Sequence, residues 1–199
     1  MINKRLSEFK IILASQSPRR QYLLKELGLD FEIIATDVPE DYPADFTPVR
    51  VATYLAEKKA DTFDGARLDP KMIILAADTI VSLEGEILGK PGNYREAEAM
   101  LKKLSGKKHE VITGVCLKSR KKKNIFHVES SVYFKDLCDV EIDYYINNFQ
   151  PFDKAGGYGI QEWIGYIGIS KIEGSFFNVM GLPVKEVYEE LLKNYSYLC

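Results

Sequence analysis

The chain has 199 residues, 46% of them hydrophobic and 12% aromatic, which is enough apolar material for a buried core and excludes an intrinsically disordered protein. The formal net charge is −2 and the sequence pI is about 5.8, so no overall positive field attracts nucleic acid or an anionic membrane. Any anion must therefore be held by a local cluster of basic residues.

The cysteines and the N-terminal segment indicate the compartment. Cys116, Cys138 and Cys199 are far apart and odd in number, which is typical of free thiols in a reducing compartment. Residues 1–10 are polar and charged, unlike a signal peptide, and no apolar run approaches the roughly 20 residues of a membrane span. These features predict a cytoplasmic protein with no membrane or nucleic-acid partner, and they leave a homodimer open.

Strand and helix patterns alternate along the first part of the chain. The apolar residues 11–14 predict a strand, and Ser17-Pro18 predicts a helix start, because the hydroxyl can cap a freed backbone N–H and proline needs no donor there. Residues 31–36 predict a second strand, and Thr47-Pro48 opens a helix that extends to about residue 62. Residues 72–77 are the most apolar run and predict a central strand.

The second part continues this alternation. Short strands at 80–83 and 86–88 flank Glu84-Gly85 as a hairpin, and Asn93 with Glu96 three residues later predicts a capped helix. The pattern then predicts strands at 111–117, 124–134 and near 166–172, and helices at 142–149 and from about 184. The interleaving predicts an α/β fold with a mixed twisted sheet and flanking helices. Since no repeat or linker marks a boundary, residues 1–199 are predicted to form a single domain.

The most specific local motif is Ser15-Gln16-Ser17-Pro18-Arg19-Arg20, which follows a strand and opens a helix. A helix N-terminus has unpaired N–H groups and a partial positive charge, which favour a phosphate. The two guanidiniums add bidentate donors, whereas a helix built for stability alone has acidic residues in its first turn. The motif therefore predicts a phosphate site.

Two further positions follow the apolar run at 72–77. Asp78 comes directly after it, and a carboxylate at a strand end can hold a metal ion or take a proton from water, although it can also cap a turn. Lys90, in Gly89-Lys90-Pro91, lies on a rigid loop where an ordinary solvated lysine is the alternative.

Charged residues also cluster between the second strand and the end of the second helix. Four carboxylates crowd one loop, at Asp37, Glu40, Asp41 and Asp45. Clustered carboxylates repel one another unless a cation accompanies them, so they indicate either a divalent-metal site or an acidic surface loop. Lys58 and Lys59 end the helix, where positive charge also complements the helix dipole.

A glycine-rich segment covers residues 153–161. Three glycines in four residues let the backbone approach a ligand closely, and Lys154 and Gln161 bracket them. The Gln161 amide can both donate and accept, which suits the edge of a nucleobase. A plain glycine-rich turn is the alternative.

Taken together and in this order, these motifs resemble the Maf family of nucleoside triphosphate pyrophosphatases. The matching segments are residues 13–20, Glu40, 57–60, 77–79, 89–91, 153–161 and 181–183. The resemblance implies the α/β fold of inosine triphosphate pyrophosphatases, with two lobes around a cleft. It also implies a divalent cation, Mg²⁺ or Mn²⁺, and hydrolysis between the α and β phosphates of a nucleoside triphosphate, which releases pyrophosphate.

The resemblance assigns catalytic residues. Asp78 matches the proton acceptor, and Glu40 matches a carboxylate that holds the metal ion or positions water, so both are candidate metal ligands. Val38-Pro39 stands where acidic residues often precede that glutamate, which leaves the adjacent Asp41 as the alternative. Lys90 completes the catalytic set.

The resemblance also assigns substrate contacts. Together with Lys154 from the glycine-rich segment, the candidate substrate-binding residues are Ser15, Arg19, Arg20, Lys59, Thr79 and Gln161. Among these, Arg19, Thr79 and Gln161 match the positions that separate the branch acting on dTTP and UTP from the branch acting on 7-methyl-GTP. The residues present favour the pyrimidine branch. For this branch the resemblance extends the substrates to modified pyrimidine nucleotides and implies roles in keeping modified nucleotides out of nucleic acids and in cell-division arrest.

Two other functions stay open at this point. One is the same hydrolysis of 7-methyl-GTP or of another modified nucleotide. The other is a non-catalytic nucleotide-binding regulator, because Maf-like proteins are associated with septum formation and arrest of cell division. Asp78 favours the enzyme, since a sensor needs no proton acceptor at the scissile bond.

Overall fold

The computed structural model describes residues 6–195, so Cys199 lies outside the described residues. In chain order the strands and helices are β1 Lys10–Leu13, α1 Pro18–Glu26, β2 Phe31–Ile33, α2 Pro48–Asp61, β3 Met72–Leu83, β4 Glu86–Leu88, α3 Tyr94–Leu104, β5 Lys108–Lys118, β6 Lys123–Phe134, α4 Asp139–Phe149, α5 Trp163–Gly168, β7 Ile169–Glu173, α6 Phe176–Met180 and α7 Val184–Tyr195. Short 3₁₀ turns lie at Gly65–Arg67, Pro151–Asp153 and Ala155–Gly157.

Within residues 6–195, seven strands form one mixed sheet. Its order is β2-β1-β3-β5-β6-β7, with β4 paired to β3. β1 is parallel to both of its neighbours, pairing Ile11 with Phe31 of β2 and with Ile73 of β3. The β3–β4 and β6–β7 pairs are antiparallel. The predicted α/β class, a mixed sheet with flanking helices, is therefore confirmed.

The chain divides into two compact units. Unit 1 contains the described residues up to Asp78, Thr113–Val128 and the described residues from Gly181 onward, and unit 2 contains Thr79–Ile112 and Glu129–Met180. The chain crosses between the units inside β3, β5 and β6 and once more between Met180 and Gly181, and the composition marks no boundary at these points. The single domain and the arrangement of two lobes around a cleft stay predictions.

In unit 1, helix α2 packs closely on the sheet. Its Ala56 and Ala60 are fully buried in a core shared with β1, β3 and β5. A Cβ on Gly114 of β5 would lie 2.3 Å from the carbonyl oxygen of Ala52 in α2, so glycine is required for this approach. Small residues on both surfaces bring the helix backbone to the strands, and with it the last helical turn that carries Lys59.

Unit 2 has a separate core in which α3, α4 and α5 pack on strands. Its buried side chains include Val81, Leu101, Val132, Phe134, Tyr145, Ile146 and Ile164. The predicted start of α3 is confirmed, because Asn93 Oδ1 accepts a hydrogen bond from Glu96 N–H at 3.1 Å. The hairpin is confirmed as well: Glu84 and Gly85 have φ values of 53° and 86°, as a two-residue type I′ turn requires.

Three element predictions need correction. β2 ends at Ile33 rather than at residue 36, because its partner β1 ends at Leu13. β3 continues from residue 72 to residue 83, so the predicted strand end before Asp78 is wrong: polar side chains interrupt the apolar pattern but leave backbone pairing intact. Residues 166–168 are helical rather than extended, in a helix whose Gly165 packs so closely on Ile160 that a Cβ would lie 1.8 Å from its carbonyl oxygen.

No helix in the described part of the chain combines the length and the apolar character that crossing a membrane would require.

Candidate functional site

Unit 1 brings two carboxylates onto one lysine. Lys59 lies in the last turn of α2, where its Nζ donates a hydrogen bond to Asp78 Oδ1 and lies 3.4 Å from Glu40 Oε1. Asp78 belongs to the middle of β3 and is only 7% exposed, whereas Glu40 lies on the exposed loop between β2 and α2. Three of the predicted site residues therefore form one cluster.

Two carboxylates of the acidic loop, Asp41 and Glu40, contact different lysines. Asp41 Oδ1 lies 2.5 Å from Lys58 Nζ, and this hydrogen bond lowers the pKa of the exposed Asp41 carboxyl. Glu40 instead shares Lys59 with Asp78. The geometry therefore joins Glu40, rather than the adjacent Asp41, to the buried carboxylate.

The predicted phosphate motif forms the turn from β1 into α1. Ser15 Oγ accepts hydrogen bonds from Ser17 N–H at 3.1 Å and from Arg20 Nη1 at 3.4 Å. Arg20 Nε donates to the Gly181 carbonyl at 2.9 Å. The Ser17 side chain makes no capping hydrogen bond, so its predicted role is wrong; the buried Ser15 hydroxyl holds the turn instead.

The charges of this turn act on the carboxylate cluster. Burial lowers the pKa of the Arg20 guanidinium and Arg19 adds to that shift, while the carboxylates of Asp78 and Glu40 oppose it. A guanidinium stays protonated at any physiological pH. Lys59 and Arg20 thus both interact with the carboxylates of Glu40 and Asp78, and Arg19 adds a further positive charge beside Arg20.

The carboxylates of Glu40 and Asp78 fit the divalent cation that the family resemblance implies. An oxygen of each already contacts the Lys59 ammonium, so both oxygens face one positive charge. Proteins commonly hold Mg²⁺ by one or two carboxylates, with water and substrate phosphates as the other ligands. Within residues 6–195, no group of three or more His, Cys, Asp or Glu side chains could hold a metal ion without such additional ligands.

In unit 2 the glycine-rich loop packs on the loop that carries Lys90. Gly156 N–H donates to the Gly89 carbonyl at 2.9 Å, and a Cβ on Gly157 would lie 3.6 Å from Pro91 Cγ. Gly156 and Gly157 both have φ of +70°, a left-handed conformation that glycine adopts without strain. The predicted segments 89–91 and 153–161 are thus direct neighbours, and the Lys90 side chain is exposed.

Lys154 and Gln161 stand at the two ends of the glycine-rich loop. Lys154 is 8% exposed, and its Nζ lies 2.6 Å from Asp153 Oδ1 and 3.1 Å from Glu162 Oε1. Gln161 Oε1 is buried and has no hydrogen-bond partner among the described residues. A buried acceptor left unpaired costs roughly 1–3 kcal/mol unless a donor is supplied. Thr79, the remaining predicted contact, is half-buried in β3.

Two buried tyrosines support this loop and were not predicted from the sequence. Tyr145 Oη of α4 donates to Glu162 Oε2 and accepts from Gly159 N–H at 3.0 Å. Tyr158 Oη lies 2.7 Å from His109 Nε2, and burial lowers the pKa of His109 to about 4, so its imidazole is neutral at pH 7.

Comparison with known proteins decides the family. A family model described as Maf-like protein matches residues 10–194. The chain belongs to the Maf-like protein family. This confirms the resemblance carried by the sequence motifs, over nearly the whole chain.

Relatives within the Maf-like family match at close to full length. A protein of Flavobacterium johnsoniae named dTTP/UTP pyrophosphatase is 49% identical over 191 residues, which cover 96% of this chain and 98% of the relative. A protein of Parabacteroides distasonis with the same name is 50% identical over 187 residues, which cover 94% of this chain and 96% of the relative. Among solved structures, the Ham1 protein of Staphylococcus aureus matches with a TM-score of 0.46 and 17% identity over 64% of this chain and 72% of that one.

Proposed function

We propose that the chain is a pyrophosphatase that hydrolyses dTTP and UTP to the nucleoside monophosphate and pyrophosphate. Relatives about half identical to it over nearly their whole length carry the name dTTP/UTP pyrophosphatase. The observation that carries the proposal is the contact of Lys59 with both Glu40 and Asp78. Water attack on a triphosphate requires a proton acceptor set among cations, and this cluster offers both.

In this proposal Asp78 is the general base. Its carboxylate accepts a proton from the water that attacks the bond between the α and β phosphates. Ser15, Arg19, Arg20 and Lys59 bind the phosphate chain, and Lys90 and Lys154 supply further cations. Negative charge grows on the leaving pyrophosphate, and these side chains offset it. The positive charges of Lys59 and Arg20 beside Asp78 support this assignment.

We further propose that Glu40 and Asp78 hold a divalent cation, Mg²⁺ or Mn²⁺, together with phosphate oxygens. The cation would neutralise phosphate charge and make a water molecule more acidic. The convergence of both carboxylates on Lys59 supports this site. A cation held there would compete with the Lys59 ammonium for the two carboxylates and would leave that ammonium available to the phosphate chain.

Base selection is proposed to depend on Gln161. Thymine and uracil present the O4 acceptor next to the N3–H donor, so the amide Nε2 can donate to O4 while Oε1 accepts from N3–H. Cytosine reverses both groups. The unpaired, buried Oε1 of Gln161 supports this pairing, since it lacks the donor that N3–H would supply. Guanine presents the same two groups, which makes dGTP the informative purine in any comparison.

The free thiols of Cys116 and Cys138 support a cytoplasmic location. Extracellular compartments are oxidising and favour disulfides in proteins that carry several cysteines. A reducing compartment is also where nucleoside triphosphates are used, which agrees with the proposed substrates.

The proposal is tested with the purified protein on a panel of dTTP, UTP, dCTP, dGTP and 7-methyl-GTP, with Mg²⁺, with Mn²⁺ and with excess EDTA. We expect pyrophosphate and the monophosphate as products, faster turnover of dTTP and UTP, and dependence on added metal ion. Orthophosphate as the only inorganic product would contradict the assigned bond. Preference for 7-methyl-GTP would move the chain to the other branch of the family.

Replacing Gln161 with Ala is expected to lower kcat/KM for dTTP and UTP through a loss of roughly 1–3 kcal/mol of transition-state stabilisation. The effect on dCTP should be much smaller. The good substrates lose the partner of their N3–H and O4 groups, whereas cytosine never had it. Lys90→Ala is the comparison variant, because every triphosphate presents the same charge and should slow about equally. Steady-state kinetics over the panel measure both. Equal losses on all substrates in Gln161→Ala would show that this residue acts on the phosphates or the loop instead.

A further inference from the structure

Three points of the glycine-rich loop in unit 2 are tied to one buried hydroxyl and one carboxylate. Tyr145 Oη is fully buried on α4, donates to Glu162 Oε2 and accepts from Gly159 N–H at 3.0 Å. The second oxygen of Glu162 lies 3.1 Å from Lys154 Nζ at the other end of the loop. The beginning, the middle and the end of the loop are therefore held together by the Tyr145–Glu162 pair.

Gly159 brings this pair next to Gln161. A Cβ on Gly159 would lie 2.8 Å from Glu162 Cδ, 2.9 Å from Glu162 Oε2 and 3.1 Å from Gln161 Nε2. The Glu162 carboxylate and the Gln161 amide thus both lie over the same glycine, at distances that leave no room for a methyl group. A shift of the carboxylate would change the space available to the amide beside it.

The chemistry of the pair favours a rigid tether. Burial raises the pKa of Tyr145 far above its usual value, and the hydrogen bond to Glu162 adds to this, so the hydroxyl keeps its proton and donates. Hydrogen bonds to a carboxylate are shorter and stronger than those between neutral groups. Glu162 accepts such a hydrogen bond from Tyr145 and forms an ion pair with Lys154, and both of these partners are buried.

We propose that Tyr145 and Glu162 are positioning residues that hold Gln161 for selection of the base. This inference rests on the proposed function, in which Gln161 reads the pyrimidine edge. A side chain that is held before the substrate arrives loses little freedom on binding, so the tether favours the correct base over the wrong one. Both residues would act through the loop that carries Gln161.

The test uses Tyr145→Phe, Glu162→Ala and Glu162→Gln. Tyr145→Phe keeps the buried ring and removes only the hydroxyl, while Glu162→Gln keeps an acceptor for Tyr145 and loses the charge that faces Lys154. We expect the ratio of kcat/KM for dTTP over dCTP to fall about tenfold in Tyr145→Phe and in Glu162→Ala, mainly through KM for dTTP. Glu162→Gln should recover part of the ratio.

A matched control exists on the exposed strands of the same unit. Tyr133 Oη donates to Glu173 Oε2 at 2.8 Å, and Lys171 Nζ lies 2.5 Å from Glu173 Oε1, which repeats the tyrosine–glutamate–lysine arrangement on the pair β6–β7. None of these three is a predicted site residue. Tyr133→Phe and Glu173→Ala should leave the dTTP-to-dCTP ratio unchanged, because exposed pairs of this kind contribute little.

A second readout is independent of turnover. Trp163 is the only tryptophan of the chain and follows Glu162 directly, so its fluorescence should report the binding of dTMP and dCMP near the loop. The preference for dTMP is expected to fall by the same factor in the variants, with thermal unfolding recorded for each to identify any that fails to fold. Glu162→Ala serves as the second variant if Tyr145→Phe does not fold.

The outcomes separate the inference from the proposed function. A wild-type protein without preference for dTTP over dCTP would overturn the proposed function and this inference with it. A wild-type preference that persists in Tyr145→Phe and Glu162→Ala would overturn only the inference. Equal losses on dTTP and dCTP would do the same, because they would mean that the pair supports the phosphate contacts or the fold in general.

Discussion

Asp78→Asn is expected to lower kcat by roughly 100-fold or more while leaving the fold and most of the substrate affinity in place. The amide has nearly the same shape as the carboxylate, and its oxygen can still accept the hydrogen bond from Lys59 that Asp78 Oδ1 accepts. It cannot take a proton from water at neutral pH. Single-turnover and steady-state rates with dTTP measure the loss, and thermal unfolding checks the fold.

Two other carboxylates serve as controls for Asp78. Asp41 also pairs with a lysine of α2, but its side chain is 77% exposed, so Asp41→Asn should leave kcat within about twofold of wild type. Glu40→Gln tests the alternative base. If Asp78→Asn keeps nearly full turnover while Glu40→Gln loses it, then Glu40 is the proton acceptor and Asp78 has a structural role.

Most of the fold was predictable because local chemistry decides it. Apolar periodicity marks each main helix, and capping residues such as Thr47 and Asn93 make the expected hydrogen bonds. The errors in the extent of strands occur where a long-range contact decides. Nothing near Asp78 in the sequence shows that β3 continues through it, since this depends on pairing with strands far along the chain.

The candidate site was predictable in composition but not in arrangement. The residue types of the motifs indicated phosphate and carboxylate chemistry, and the structure joins Glu40, Lys59 and Asp78 into one cluster. The Tyr145–Glu162 tether was missed, because Tyr145 fits the apolar stripe of its helix and its hydroxyl partner lies 17 residues away. The spacing of apolar residues along a helix does not show what the hydroxyl of a tyrosine among them contacts.

The second large effect is expected for Lys59→Met, which should strengthen Mn²⁺ binding but slow turnover. Met keeps most of the length of the side chain but not its charge, so Glu40 and Asp78 lose the cation that they share. Without that competitor, the two carboxylates should bind Mn²⁺ about tenfold more tightly in the absence of nucleotide. Turnover should nevertheless fall roughly 100-fold, because the phosphate chain loses one preorganised positive charge in its site.

The two parts of the Lys59 prediction are measured separately. Electron paramagnetic resonance of free Mn²⁺ gives the metal affinity without nucleotide, and pyrophosphate release gives the turnover. Lys58→Met is the matched control, since Lys58 is the preceding residue of the same helix and pairs with the exposed Asp41 instead; it should change neither quantity by more than about twofold. Tighter metal binding together with slower turnover would mean that Lys59 occupies the cation site when the enzyme is empty and serves the phosphate chain during the reaction. Unchanged or weaker Mn²⁺ binding in Lys59→Met would mean that Glu40 and Asp78 are not the metal ligands, and the ammonium would then be a fixed partner of Asp78 rather than a stand-in for a divalent ion.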